Sequence, residues 1–116
     1  MTVERIKYII WAKDTARAVA FYRDHLGGRV VRQNEHIAEL EIAGTLLAIH
    51  SGGEDETTWT GLAFQVEDVV AGAQEIVAAG GKLRHEPMSD EPGEPPHLAM
   101  CADPEGNQIM LTRKRD

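Results

Sequence analysis

The residue types able to do chemistry in this 116-residue chain are few and scattered. Lys7 lies in an apolar stretch near the N-terminus. His50 and His97 flank apolar runs, and Glu39 and Glu41 alternate with Ala38, Leu40 and Ile42. Cys101 is the single cysteine. Imidazole and carboxylate groups can serve as acid, base or metal ligand, and a thiolate as nucleophile. The His and Glu residues show no recognised ligand spacing. A replacement metal site from His50, His97, Glu39 and Glu41 is conceivable, but scattered His and Glu are usually surface residues. No basic residue is placed to activate Cys101, which reads as a small core residue. A lone cysteine also excludes an internal disulfide and fits a reducing compartment.

Acids outnumber bases by 19 to 12, for a net charge of −7. Phosphate binding needs a basic footprint, so this balance argues against a nucleic-acid partner. It is compatible with a cationic ligand, or with solubility alone. No apolar run approaches the ~20 residues of a membrane span. The segment Met1–Arg5 lacks the basic-then-apolar layout of a secretory signal, so a cytoplasmic protein with no membrane partner is expected. The length suits one domain with one core.

The elements that must position these residues come in two similar runs. The first opens with an apolar strand over 5–13, read as buried on both faces. Asp14 caps a helix over 15–26, which Gly27-Gly28 ends. Strands follow over 29–33, 36–42 and 46–50, with a turn at Gly44. The polar stretch 51–58, opening with Ser-Gly-Gly, is the linker. The second run repeats the order. It has a strand over 61–66, the N-cap Asp68, a helix over 69–79, Gly80-Gly81, a short strand over 82–85, and strands over 97–102 and 108–113. The acidic, proline-rich segment 86–96 is either a lid or a solvated connector. Asp103-Pro104-Glu105-Gly106-Asn107 reads as a tight turn. After it, Ile109 and Leu111 share one strand face, and Gln108, Met110 and Thr112 share the other. The whole is a repeated β-α-β-β-β unit, an α+β fold: module one over 3–50, linker over 51–58, module two over 59–113.

Three features in order within this repeat resemble the vicinal oxygen chelate superfamily. They are Phe21-Tyr22 with Leu26-Gly27, Gly61-Leu62-Ala63-Phe64, and Asp103-Pro104-Glu105-Gly106-Asn107. That group includes glyoxalase I, extradiol dioxygenases, fosfomycin-modifying enzymes and bleomycin-resistance proteins. The resemblance spans residues 5–112 and implies two modules whose sheets curl around a cavity, commonly in a homodimer.

In metal-dependent members of that group, His, Glu or Gln at equivalent strand positions of both modules hold a divalent ion. The resemblance places these positions at Lys7, Ala48, Gly61 and Met110. An ammonium repels a cation, alanine and glycine have no donor, and a thioether is soft for an ion of this type. The resemblance therefore implies the fold and cavity without the metal, and no cofactor is expected. Alternation around those positions predicts a pocket lined by Lys7, Ile9, Trp11, Ala48, His50, Gly61, Ala63, Gln65, His97, Cys101, Gln108 and Met110. Lys7, losing hydration there, should pair with Glu39 or Glu41 or meet an anionic ligand. The leading expectation is a metal-free protein of bleomycin-resistance type that sequesters a small, partly aromatic, cationic compound. The rivals are a glyoxalase-like lyase, isomerase or dioxygenase using another metal site or acid–base chemistry at Lys7 or His50, and a regulatory subunit.

Overall fold

The computed structural model describes residues 1–54 and 57–115. Two residues of the predicted linker, Asp55 and Glu56, thus lie outside the described residues. The chain divides into two compact units, Met1–Asp55 and Glu56–Asp116.

Unit one runs β1 (Tyr8–Ala12), α1 (Thr15–His25), β2 (Arg29–Gln33), β3 (Ile37–Ile42) and β4 (Thr45–Ser51). Its sheet has the order β1-β4-β3-β2, with β1 parallel to β4 and the other pairs antiparallel. The Asp14 carboxylate accepts the Arg17 backbone N–H at 3.1 Å and so starts α1. At the other end Gly27 takes φ 70°, and the Gly28 N–H donates to the Tyr22 carbonyl at 2.9 Å. The helix packs over β3 and β4. Its buried residues Ala18, Val19, Phe21 and Tyr22 form a core with Ile10, Ala12, Leu40, Leu47 and Ile49. Each large apolar side chain buried there contributes roughly 1.5–3 kcal/mol.

The expectation that the first strand is buried on both faces is corrected. Ile10 and Ala12 are buried, but Ile9 and Trp11 remain 51% and 49% exposed. Strand β1 is a sheet edge, and the helix covers only one face of the sheet.

Unit two runs β5 (Thr58–Gln65), α2 (Val69–Ala78), β6 (Lys82–Leu83), β7 (Leu98–Ala102) and β8 (Asn107–Thr112), in the order β5-β8-β7-β6. Again the first strand is parallel to the last, and Asp68 caps the helix by accepting from the Ala71 N–H at 3.0 Å. Val69, Ala73 and Ile76 of α2 are buried, as are Ala99, Cys101, Ile109 and Leu111 of the sheet. Gly81 is required for the close approach after the helix. A Cβ there would lie 2.4 Å from the Ala102 carbonyl oxygen. Each unit is thus a βαβββ module with one helix on one face of a mixed four-stranded sheet, and the fold is α+β as predicted.

The turn before β8 is held from inside. Asp103 is 3% exposed, and its Oδ1 accepts the backbone N–H groups of Glu105 and Asn107, both at 2.9 Å. Its Oδ2 accepts the Asn107 side-chain amide at 3.0 Å. The Gly106 N–H closes the turn on the Asp103 carbonyl at 3.1 Å. Among the described residues, no helix is long and apolar enough to cross a membrane.

Candidate functional site

Strand alternation leaves each sheet a face turned away from its own helix, and these helix-free faces carry most of the predicted site residues. In unit one the register sets Trp11 opposite His50, Ile9 opposite Ala48, and Ala48 opposite Glu39. Beyond them, Glu39 faces Arg32 and Glu41 faces Arg29 on β2. An irregularity between Val30 and Arg32 supplies the extra residue that turns both arginines to the same side.

Glu39 is the centre of this face. It is 5% exposed and lies 3.1 Å from the Lys7 Nζ and 3.3 Å from the Arg32 Nη1. Alanine at position 48 lets the Lys7 chain cross β4 to reach it. The Lys7 ammonium beside it, aided by the Arg32 guanidinium, holds the Glu39 carboxyl below the usual carboxylate range despite its burial. Of the two partners predicted for Lys7, the structure selects Glu39; Glu41 pairs with Arg29 at 3.3 Å.

The Trp11 and His50 rings lie 4.7 Å apart at 50°. The His50 Nδ1 is 2.6 Å from the Ser51 carbonyl oxygen. A carbonyl only accepts, so Nδ1 carries the proton and a neutral ring keeps its lone pair on Nε2.

Unit two presents a different surface. Its register aligns Ala63 with Met110 and Met110 with Met100, and Gln65 with Thr112 and Thr112 with Leu98. Gln108 is 8% exposed on the same side. Gly61 lies within an irregularity between Trp59 and Leu62 at φ 72°, a backbone that L side chains rarely adopt.

Two predicted site residues fall elsewhere. Cys101 pairs with Ile109 and is 0% exposed on the side facing α2, and burial pushes its thiol pKa up. The residue of β7 that shares the Met110 face is Met100. His97 precedes β7 in the Cys101 alternation, with its Nε2 3.2 Å from Asp90 Oδ1 and its Nδ1 buried without a hydrogen bond. Asp90 also pairs with Arg115 at 3.1 Å, fastening the segment 86–96 beside the C-terminal residues. Arg29, Arg32 and Met100 were missed. The only signal for the arginines was their three-residue spacing against glutamates two apart, which one bulge reconciles. A separate groove of about 370 Å³ along α2, lined by Val70, Val77, Leu83 and Pro87 among others, includes none of the predicted residues.

The donor set does not fit a divalent ion. Lys7 is tied to Glu39, Ala48 offers no donor, Gly61 occupies a left-handed backbone, and Met110 brings a thioether. Among the described residues, no three His, Cys, Asp or Glu side chains converge to hold a metal.

Comparison with solved structures gives close matches in fold at low identity. The genomically encoded fosfomycin resistance protein FosX from Listeria monocytogenes superposes with a TM-score of 0.79 at 19% identity, covering 99% of this chain and 96% of that one. A mutant of the same protein complexed with Mn(II) and 1S,2S-dihydroxypropylphosphonic acid gives 0.76 at 20% identity, over 96% and 90% of the two chains. A glyoxalase/bleomycin resistance protein/dioxygenase family enzyme from Burkholderia phytofirmans PsJN gives 0.74 at 18%, over 92% and 95%. None of the curated proteins matches the chain. The family profile described as Glyoxalase/Bleomycin resistance protein/Dioxygenase superfamily matches residues 5–111, almost the whole repeat, and the chain belongs to that superfamily.

Proposed function

We propose that the chain is a metal-free binding protein of bleomycin-resistance type that holds a small, partly aromatic molecule against the helix-free face of unit one. One observation carries this reading. Ile9 and Trp11 keep half their surface exposed beside His50, on a face whose metal-equivalent positions are an alanine and an ion-paired lysine. Exposed apolar and aromatic surface bordered by a few fixed polar groups suits a planar organic guest. The likeness to FosX supports the fold only, and the Mn(II) of its complex has no matching donor set here. The cationic guest expected from net charge gains no support from this face, where Lys7, Arg29 and Arg32 stand against Glu39 and Glu41. A homodimer belongs to the same reading, and sedimentation equilibrium decides it.

The test is a thermal-shift screen of aromatic metabolites, with elemental analysis of protein purified without chelator. Stabilisers should emerge whose effect Trp11→Ala weakens, with metal well below stoichiometric. Stoichiometric Mn, Fe, Ni or Zn that one of the Lys7, Ala48 or Met110 positions affects on mutation would overturn the metal-free reading.

A second reading has its own observation. The Ser51 carbonyl fixes the His50 tautomer and leaves Nε2 as a base beside Trp11. Metal-free proton transfer at His50 would be lost in His50→Gln while ligand-induced stabilisation persisted. Turnover unaffected by that change excludes it.

A further inference from the structure

We propose that the guest of unit one is an aromatic carboxylate, its ring beside Trp11 and His50 and its carboxylate on Lys7 and Arg32. This rests on the reading above that the face binds a small molecule; it adds the guest's charge and orientation.

The inference starts from a local surplus of positive charge in an acidic chain. The net charge is −7, yet the charged groups that the register gathers on this face are three cations and two anions. Glu41 is matched by Arg29. Glu39 is shared between Lys7 and Arg32, so one positive charge is left over at that point. The spare charge has donors to offer. An ammonium has three N–H groups and a guanidinium five, and Arg32 reaches Glu39 through Nη1 alone at 3.3 Å. The two side chains are 46% and 63% exposed. A cationic guest would meet this surplus and find Glu39 buried, with Oε1 bonded to Arg32 and Oε2 facing the Lys7 ammonium, whereas a carboxylate gains charge-assisted hydrogen bonds.

The register also sets the guest's length. Same-face neighbours along a strand are about 7 Å apart. The Trp11–His50 row is therefore about one such step from the Ile9–Ala48–Glu39 row, over which the Lys7 ammonium extends. A ring carrying a directly attached carboxylate spans that step, with the half-exposed Ile9 as its apolar contact beside Trp11. A small anion without a ring would leave Trp11 uncovered, and a neutral ring would leave the surplus charge unanswered.

Calorimetric titration of the full chain with 2-naphthoate, 2-naphthamide and protonated 2-naphthylmethylamine tests this. The carboxylate should bind about tenfold or more tighter than the amide, and added salt should narrow that gap. Arg32→Gln and Lys7→Gln should each bring the carboxylate toward the amide's affinity while leaving the amide unchanged. Unaltered melting temperature in at least the Arg32 variant separates this from unfolding. Equal affinity for all three, lost in Trp11→Ala, overturns the carboxylate but keeps the binding face. Tightest binding of the amine overturns it in favour of a cationic guest. Binding of none of the three overturns both the carboxylate and the face as an aromatic site.

Discussion

Units one and two share a topology and differ in what they do with the face their helix leaves uncovered. Both join a first strand in parallel to a last strand, both start the helix with an aspartate cap, and both bury aliphatic side chains between helix and sheet. The helix-free face of unit one is aromatic and ionic, organised around Glu39. That of unit two has Ala63, Met100 and Met110 in a row, with glutamines at its ends and Lys82 at its β6 edge. The architecture resides in the helix-side cores, and the helix-free faces vary independently of it. The four positions at which the family resemblance would expect metal ligands differ in the same way: unit one has an ion-paired lysine and an alanine, and unit two a left-handed glycine and a thioether.

The comparison breaks first at the cores if it is wrong. Leu40→Ala in unit one and Leu111→Ala in unit two, both essentially inaccessible, should each cost about 2–5 kcal/mol in urea unfolding. A cost under 1 kcal/mol in either would mean that its helix is not the main cover of that sheet. Next comes the bend in β5. Gly61→Ala places a Cβ on a backbone at φ 72° and should cost about 1–2 kcal/mol, whereas Ala48→Gly on the regular β4 loses only strand propensity. Equal costs would remove the contrast between the two positions.

The smallest effect is a pH dependence confined to unit one. The native Glu39 carboxyl titrates below its unfolded value, so its contribution is complete above about pH 5 and is lost as pH falls through the native value. Melting curves should show that acid-side loss reduced in Glu39→Gln. Superimposable acid limbs would mean that the ion pairs add nothing to stability, as exposed pairs often do not.

Much of this fold was legible because its punctuation is chemical. Asp14 and Asp68 before the helices, and glycines after them, fix the boundaries to within a residue or two. The faces were legible only where the strand alternates. In β3, Glu39 and Glu41 against Ala38, Leu40 and Ile42 give the right sides. In β1 and β7 both faces are apolar, so period two carries no contrast. Trp11 was therefore read as buried on sequence alone, and Cys101 was assigned to the face that Met100 occupies. The Arg29–Arg32 bulge was invisible because it depends on the partner strand. The family match followed from the turn and the repeat, while the Glu39 cluster needed the register.

The Asp103 turn carries one more consequence, for the order of assembly. Its hydrogen bonds join residues no more than four apart in sequence, and β7 and β8 that it connects are adjacent in the chain. The parallel pairing of β5 with β8 must instead close a loop of roughly fifty residues, and the Thr58 N–H reaches the Gly106 carbonyl across that span. Short-range contacts form with little entropic penalty, on the microsecond scale of hairpins. The turn should therefore form before the edge strand of unit two docks, and Asn107→Ala should then slow folding far more than it speeds unfolding, with a φ-value near 1. A φ-value near 0 would place its formation after the parallel strands meet.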